Sequence, residues 1–96
     1  MYMRIHEKKE ETIVAVCDEK LLGKTIGEKD IEITIKREFY GKEGFSQEEI
    51  KEAMKKATIG NLVGKNSVEL GIKHGFIDKD HVIEINGTPH AQMVLL

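Results

Sequence analysis

The sequence predicts an α+β domain: a mostly antiparallel sheet of four or five strands, with two helices joined as a helical hairpin and packed on one face. Three observations carry this. Tyr2 to His6 and Asp30 to Arg37 alternate apolar and polar residues with the period of two that a half-buried strand needs. Residues 45–57 instead repeat apolar side chains at helical spacing behind a capping signal. Asn86-Gly87 is a tight-turn dipeptide between two apolar runs near the C-terminus. At 96 residues the chain makes one domain of ordinary size, residues 1–96.

In the first strand Met3 and Ile5 lie on one side, with Tyr2, Arg4 and His6 on the other. The charged run Glu7 to Glu11 reverses the chain through a connection longer than a two-residue turn. Thr12 to Cys17, apolar on both faces, reads as a central strand antiparallel to the first. Asp18 can cap a single helical turn carrying Leu21 and Leu22, closed by Gly23, with Lys24 to Ile26 as loop or short strand. Along Asp30 to Arg37, Ile31, Ile33 and Ile35 face the core and Glu32, Thr34 and Lys36 face water. Phe39 and Tyr40, read as core and rim, lead into the turn Gly41 to Gly44.

Ser46 and Glu49 form a capping box, and Phe45 with Ile50 the matching hydrophobic staple. Ile50, Ala53, Met54 and Ala57 make one apolar stripe, with Glu52 placed to reach Lys56. Thr58 and Asn61 then put polar side chains where the helical period asks for apolar ones. Either the helix stops near Gly60 with Asn61 in a turn, or it runs on and Asn61 clamps a neighbouring loop or a ligand. A second helix, capped by Asn66 or Ser67 and stopped by Gly75, runs to about His74. A turn at Asp78 to Asp80 precedes the strands His81 to Ile85 and Ala91 to Leu96. The last strand is unusually apolar, so either it is central in the sheet or its edge pairs with a second copy as a homodimer.

Composition excludes several classes. A 40% hydrophobic and 33% charged chain is globular, and no apolar run approaches the roughly 20 residues of a membrane helix. No secretory signal opens the sequence and Cys17 has no second cysteine to bond, so the expected compartment is the cytoplasm. A net charge of −2 disfavours a strong sequence-independent grip on nucleic acid. Residues 51–75, however, hold five lysines against two glutamates, and Lys51, Lys55, Lys56, Lys65 and Lys73 are candidates for a nucleic-acid-binding face.

The four histidines and the single thiol show no metal-ligand spacing, and no metal or cofactor is expected. Gly23-Lys24-Thr25 ends like a phosphate-binding loop but has Asp18 where the motif needs glycine. Cys17 and His90 make a nucleophile pair only if their strands adjoin. His90 follows a constrained Gly-Thr-Pro turn, shares a face with Gln92 and titrates near neutrality, which makes it the first choice for a functional side chain. The candidate ligand-binding set is Asn61, Asn86, Thr88, His90, Gln92, Cys17 and Asp18; no residue is assigned to catalysis.

MYMRIHEK, IVAVCDEKLLGKTI, FYG, KKATIGNLVG and INGTPHAQMVLL together resemble the small archaeal proteins known as domain of unknown function 424. That resemblance implies an archaeal cytoplasmic origin and draws attention to Cys17, Asp18, Asn61, Pro89, His90 and Gln92. It implies no activity. Two functions are expected as alternatives: a non-catalytic module binding RNA or a ribonucleoprotein through the helix lysines, or a small-molecule-binding protein or small enzyme with a polar pocket around Asn61 and His90.

Overall fold

The structure, a computed structural model, describes residues 1–28, 31–41 and 44–95. Among them are seven strands and three helices: β1 (Tyr2–Lys8), β2 (Glu11–Cys17), β3 (Thr25–Glu28), β4 (Ile31–Thr34), α1 (Arg37–Tyr40), α2 (Gln47–Lys56), β5 (Ile59–Val63), α3 (Lys65–Lys73), β6 (Ile83–Ile85) and β7 (Thr88–Val94). Five strands form one sheet in the order β1-β2-β5-β7-β6, antiparallel except for the parallel pair β2 and β5, while β3 and β4 form a separate hairpin. The α+β class and the five-stranded, mostly antiparallel sheet agree with the sequence.

The helical hairpin does not form, because a strand separates its two helices. α2 starts on the expected capping box, Ser46 with Glu49, and ends where Ala57 turns extended (ψ 142°). Thr58 then hydrogen-bonds through its hydroxyl to Glu11 and the Thr12 carbonyl, and receives the Thr12 N–H, docking the next five residues beside β2. The polar residues that broke the helical period fit a period of two. Leu62 and Gly60 turn toward the helices and Asn61 and Val63 toward the opposite face, so Asn61 lies neither in a turn nor in a helix.

Both faces of the sheet are covered. Val14, Val16, Leu62 and Ala91 pack under Ile50, Met54 and Ala57 of the α2 stripe and Val68 and Leu70 of α3. The other face, left uncovered in an arrangement with both helices on one side, carries a second core in which Ala15, Cys17 and Val63 meet Ile35 and Tyr40. The alternating segment at 31–35 covers the sheet instead of joining it: β4 pairs only with β3, and Ile35 is buried just beyond it. Its expected start at Asp30, the interior of the turn at residues 42–43, and Leu96 lie outside the described residues.

Smaller differences have local causes. β1 and β2 join through a two-residue turn, because Lys9 adopts a left-handed φ of 50°. Glu52 pairs with Lys55 (3.0 Å) instead of Lys56. β7 lies between β5 and β6, the central alternative of the two considered for the final strand.

Candidate functional site

Tyr40, Asn61 and His90 form one hydrogen-bonded cluster on the face opposite α2 and α3. The Tyr40 hydroxyl donates to Asn61 Oδ1 at 2.6 Å, and His90 Nε2 lies 3.2 Å from the same oxygen. A carbonyl oxygen only accepts, so the histidine must donate through Nε2–H. A neutral ring then carries its lone pair on Nδ1. Burial lowers the His90 pKa and favours that neutral form, in keeping with its 8% exposure.

Three elements set this geometry. Asn61 sits in the middle of β5, and His90 on β7 is brought alongside by the antiparallel register that pairs it with Val63. Tyr40 ends α1, where Gly41 at φ 61° turns the chain away and lies against the Arg4 side chain too closely for any Cβ. Tyr40 is 5% exposed, and its ring meets Phe39 edge-on while Phe39 stacks on His6. Asn61 thus holds a neighbouring segment through the Tyr40 hydroxyl, but from a strand and not from a continued helix.

Asn61 Nδ2 has no hydrogen-bond partner among the described residues and is not sealed from solvent, so its two donors stay available. Opposite it stands exposed Gln92. The Leu95 N–H bonds the Thr58 carbonyl and the Gly64 N–H the Pro89 carbonyl, so the alternate pair Asn61 and Gln92 is of the non-hydrogen-bonded kind. Such pairs bring Cα atoms to about 4.5 Å and set their side chains side by side. Half-buried Ile59 and exposed Val94 form the next pair on this face, and exposed Ile83 lies opposite His90.

Cys17 shares this face but not this chemistry. β5 lies between β2 and β7, which places Cys17 and His90 two strand spacings apart, about 10 Å, with Val63 between them. A nucleophile pair is therefore excluded. Burial, with the nearby charge of Asp18 adding to it and the terminal ammonium opposing, pushes the Cys17 thiol up to about 12. Burial, then Cys17, pushes the Tyr40 phenol up to about 12 as well. Both groups stay protonated at neutral pH.

The other candidates lie elsewhere. Asp18 caps α3 from just beyond the end of β2: its carboxylate accepts the Asn66 N–H (3.0 Å), the Ser67 N–H (2.8 Å) and the Ser67 hydroxyl (2.7 Å). Neither Asn66 nor Ser67 is the N-cap; Gly64 is, at φ 105° and ψ 155°. Asn86 takes the left-handed position of the β6–β7 turn (φ 50°), and Thr88 borders the cleft beside Asp18. The candidate lysines belong to α2 and α3, which cover the face of the sheet away from Asn61, and Lys65 also borders the cleft beside Asp18. No three His, Cys, Asp or Glu side chains come together as a metal set among the described residues. Tyr40 and Gly64 were not among the expected site residues. A tyrosine within a core stretch must find its hydroxyl a partner, and that was the available signal for Tyr40.

Comparison with known proteins adds the family. A family model described as "Protein of unknown function (DUF424)" matches residues 6–96. The chain belongs to this family. Among solved structures, the DUF424 chain is similar to an uncharacterized conserved protein from Methanopyrus kandleri, with a TM-score of 0.83 and 25% identity, covering 99% of this chain and 90% of that one. No curated protein matches this DUF424 chain.

Proposed function

We propose that this protein is a non-catalytic binding module of the archaeal cytoplasm, whose site is the Asn61–Gln92 amide pair with Tyr40 and His90 as its supports. The observation that carries this reading is the doubly held Asn61 carbonyl, which leaves the amide hydrogens fixed in direction and unspent. Two adjacent carboxamides beside an apolar pair suit a small polar molecule presenting carbonyl or carboxylate acceptors. Binding is favoured over turnover because Cys17 and Tyr40 keep their protons at neutral pH and, among the described residues, His90 bonds neither of them. A ligand-observed NMR screen of acceptor-bearing fragments tests it. Hits that vanish in both Asn61→Ser and Gln92→Ala support the site, and hits indifferent to both remove it.

The runner-up is an RNA or ribonucleoprotein module using Lys51, Lys55, Lys56, Lys65 and Lys73. Its support is that α2 and α3, which carry these lysines, cover the same face of the sheet. That face is opposite the amides, so one contact cannot use both. Titration with single-stranded RNA at low salt tests it, and absence of binding there sinks it. A homodimer through the C-terminal strand, which β6 covers only at Thr88, Pro89 and His90, draws on exposed Ile83, Val94 and Leu95; sedimentation of a monomer at high protein concentration would remove it.

A further inference from the structure

The crevice at the carboxyl ends of β2 and β5 is distinct from the amide pair. β2 and β5 are neighbouring parallel strands whose last register pair is Cys17 and Val63. Beyond that pair the chain leaves in two directions. After β2 it crosses to the Tyr40 face, where Leu21 and Leu22 join the second core; after β5 it enters α3 on the opposite face. Where connections to adjacent parallel strands diverge in this way, an open crevice is left in which ligands bind. Here it encloses about 500 Å³, bounded by Asp18, Lys20, Leu21, Lys65, Asn66 and Thr88. That is room for a small organic molecule.

The two lips are already locked together. The Asp18 N–H donates to the Val63 carbonyl at 3.2 Å, and the Asp18 carboxylate takes up the N–H groups of Asn66 and Ser67. Those amides are spent and contribute nothing further to a ligand. What remains is side chains: the ammonium groups of Lys20 and Lys65, the Asn66 carboxamide and the Thr88 hydroxyl. Glu19, the second acid on the rim, is paired with the terminal ammonium at 3.2 Å, whereas neither lysine has an ion-pair partner among the described residues.

We infer that this crevice binds a small phosphorylated molecule, with the phosphoryl group between Lys20 and Lys65 and the organic part against Leu21. Two compact point charges with two neutral donors suit a tetrahedral dianion. No arginine borders this crevice among the described residues, so the phosphoryl group is met by lysine point charges and not by a bidentate fork.

The test is an NMR titration of the full ¹⁵N-labelled chain with glycerol 3-phosphate, with inorganic phosphate and chloride as separate arms at constant ionic strength. Saturable shifts at Lys20, Lys65, Asn66 and Thr88 are expected, tighter for glycerol 3-phosphate than for inorganic phosphate. Lys20→Gln and Lys65→Gln should each weaken binding about threefold or more, and Lys73→Gln, at the far end of α3, should not. Shifts that do not saturate, equal affinity for inorganic phosphate, or unchanged affinity in both crevice variants would overturn the assignment. The Asn61 site is read by a different screen, so either can fail without the other.

Discussion

Replacing Gly64 with alanine should cost far more than an exposed glycine substitution, and the excess should depend on Asp18. At φ 105° and ψ 155° the backbone occupies a region essentially reserved for glycine, so any side chain there costs about 1–3 kcal/mol. The added Cβ would also stand 2.6 Å from Asp18 Oδ1 and 2.8 Å from Asp18 Cβ, which forces the carboxylate off the α3 terminus. Losing that cap costs about 1–2 kcal/mol. The Ser67 hydroxyl, fully buried, keeps only a 3.6 Å contact to the Met1 sulfur, adding about 1 kcal/mol or more. Gly64→Ala should therefore lose about 3–6 kcal/mol out of the roughly 5–14 kcal/mol available to a chain of this length. Urea denaturation reads this as a lower midpoint at unchanged slope. In an Asp18→Ala background the backbone strain and the contact with the retained Cβ remain but there is no cap left to lose, so the same substitution should cost about 2 kcal/mol less. A loss under about 1 kcal/mol, or strict additivity of the two changes, would refute the reasoning.

Tyr40→Phe should lose about 1 kcal/mol by urea denaturation, because Asn61 Oδ1 keeps its bond to His90. Stability should fall as pH drops below about 6.5, because the unfolded histidine takes up a proton there while burial holds the folded pKa of His90 lower. The decline should stop once the folded ring also titrates, and His90→Gln should lack this part of the pH dependence when urea midpoints are compared across the range. Cys17, fully buried with its thiol pushed up to about 12, should react with a thiol reagent only as fast as the chain opens. Reaction at the rate of a free thiol under native conditions would contradict this. Ile50→Ala, in the middle of the α2 stripe, should lose about 2–5 kcal/mol in the same denaturation assay.

The capping box at Ser46 and Glu49 was legible because all its determinants lie within four residues. The left-handed stop at Gly75 (φ 79°) was legible for the same reason. β5 was not. IGNLV is short, carries a glycine and an asparagine, and becomes a strand because β2, 46 residues distant in the chain, and β7 lie on either side of it. The polar breaks at Thr58 and Asn61 were seen but assigned to the wrong period. The second core was hidden similarly: Ile33 and Ile35 announce a buried face without saying whether they join the sheet or lie across it. In the candidate site, the nearness of Asn61 and His90 followed from two strands that happened to adjoin. The separation of Cys17 from His90 depended on strand order, which spacing cannot reveal. Asp18 looked like a local cap, yet its bonds reach residues 48 and 49 positions away.

The account rests on an Asn61 amide left available because its carbonyl is held by two donors. The protonation of the His90 ring reports this most directly, through long-range ¹H–¹⁵N correlation near neutral pH. A neutral ring with its proton on Nε2 is the expected result. A proton on Nδ1 would leave Nε2 an acceptor, turn the Asn61 amide hydrogens inward and contradict the proposed site.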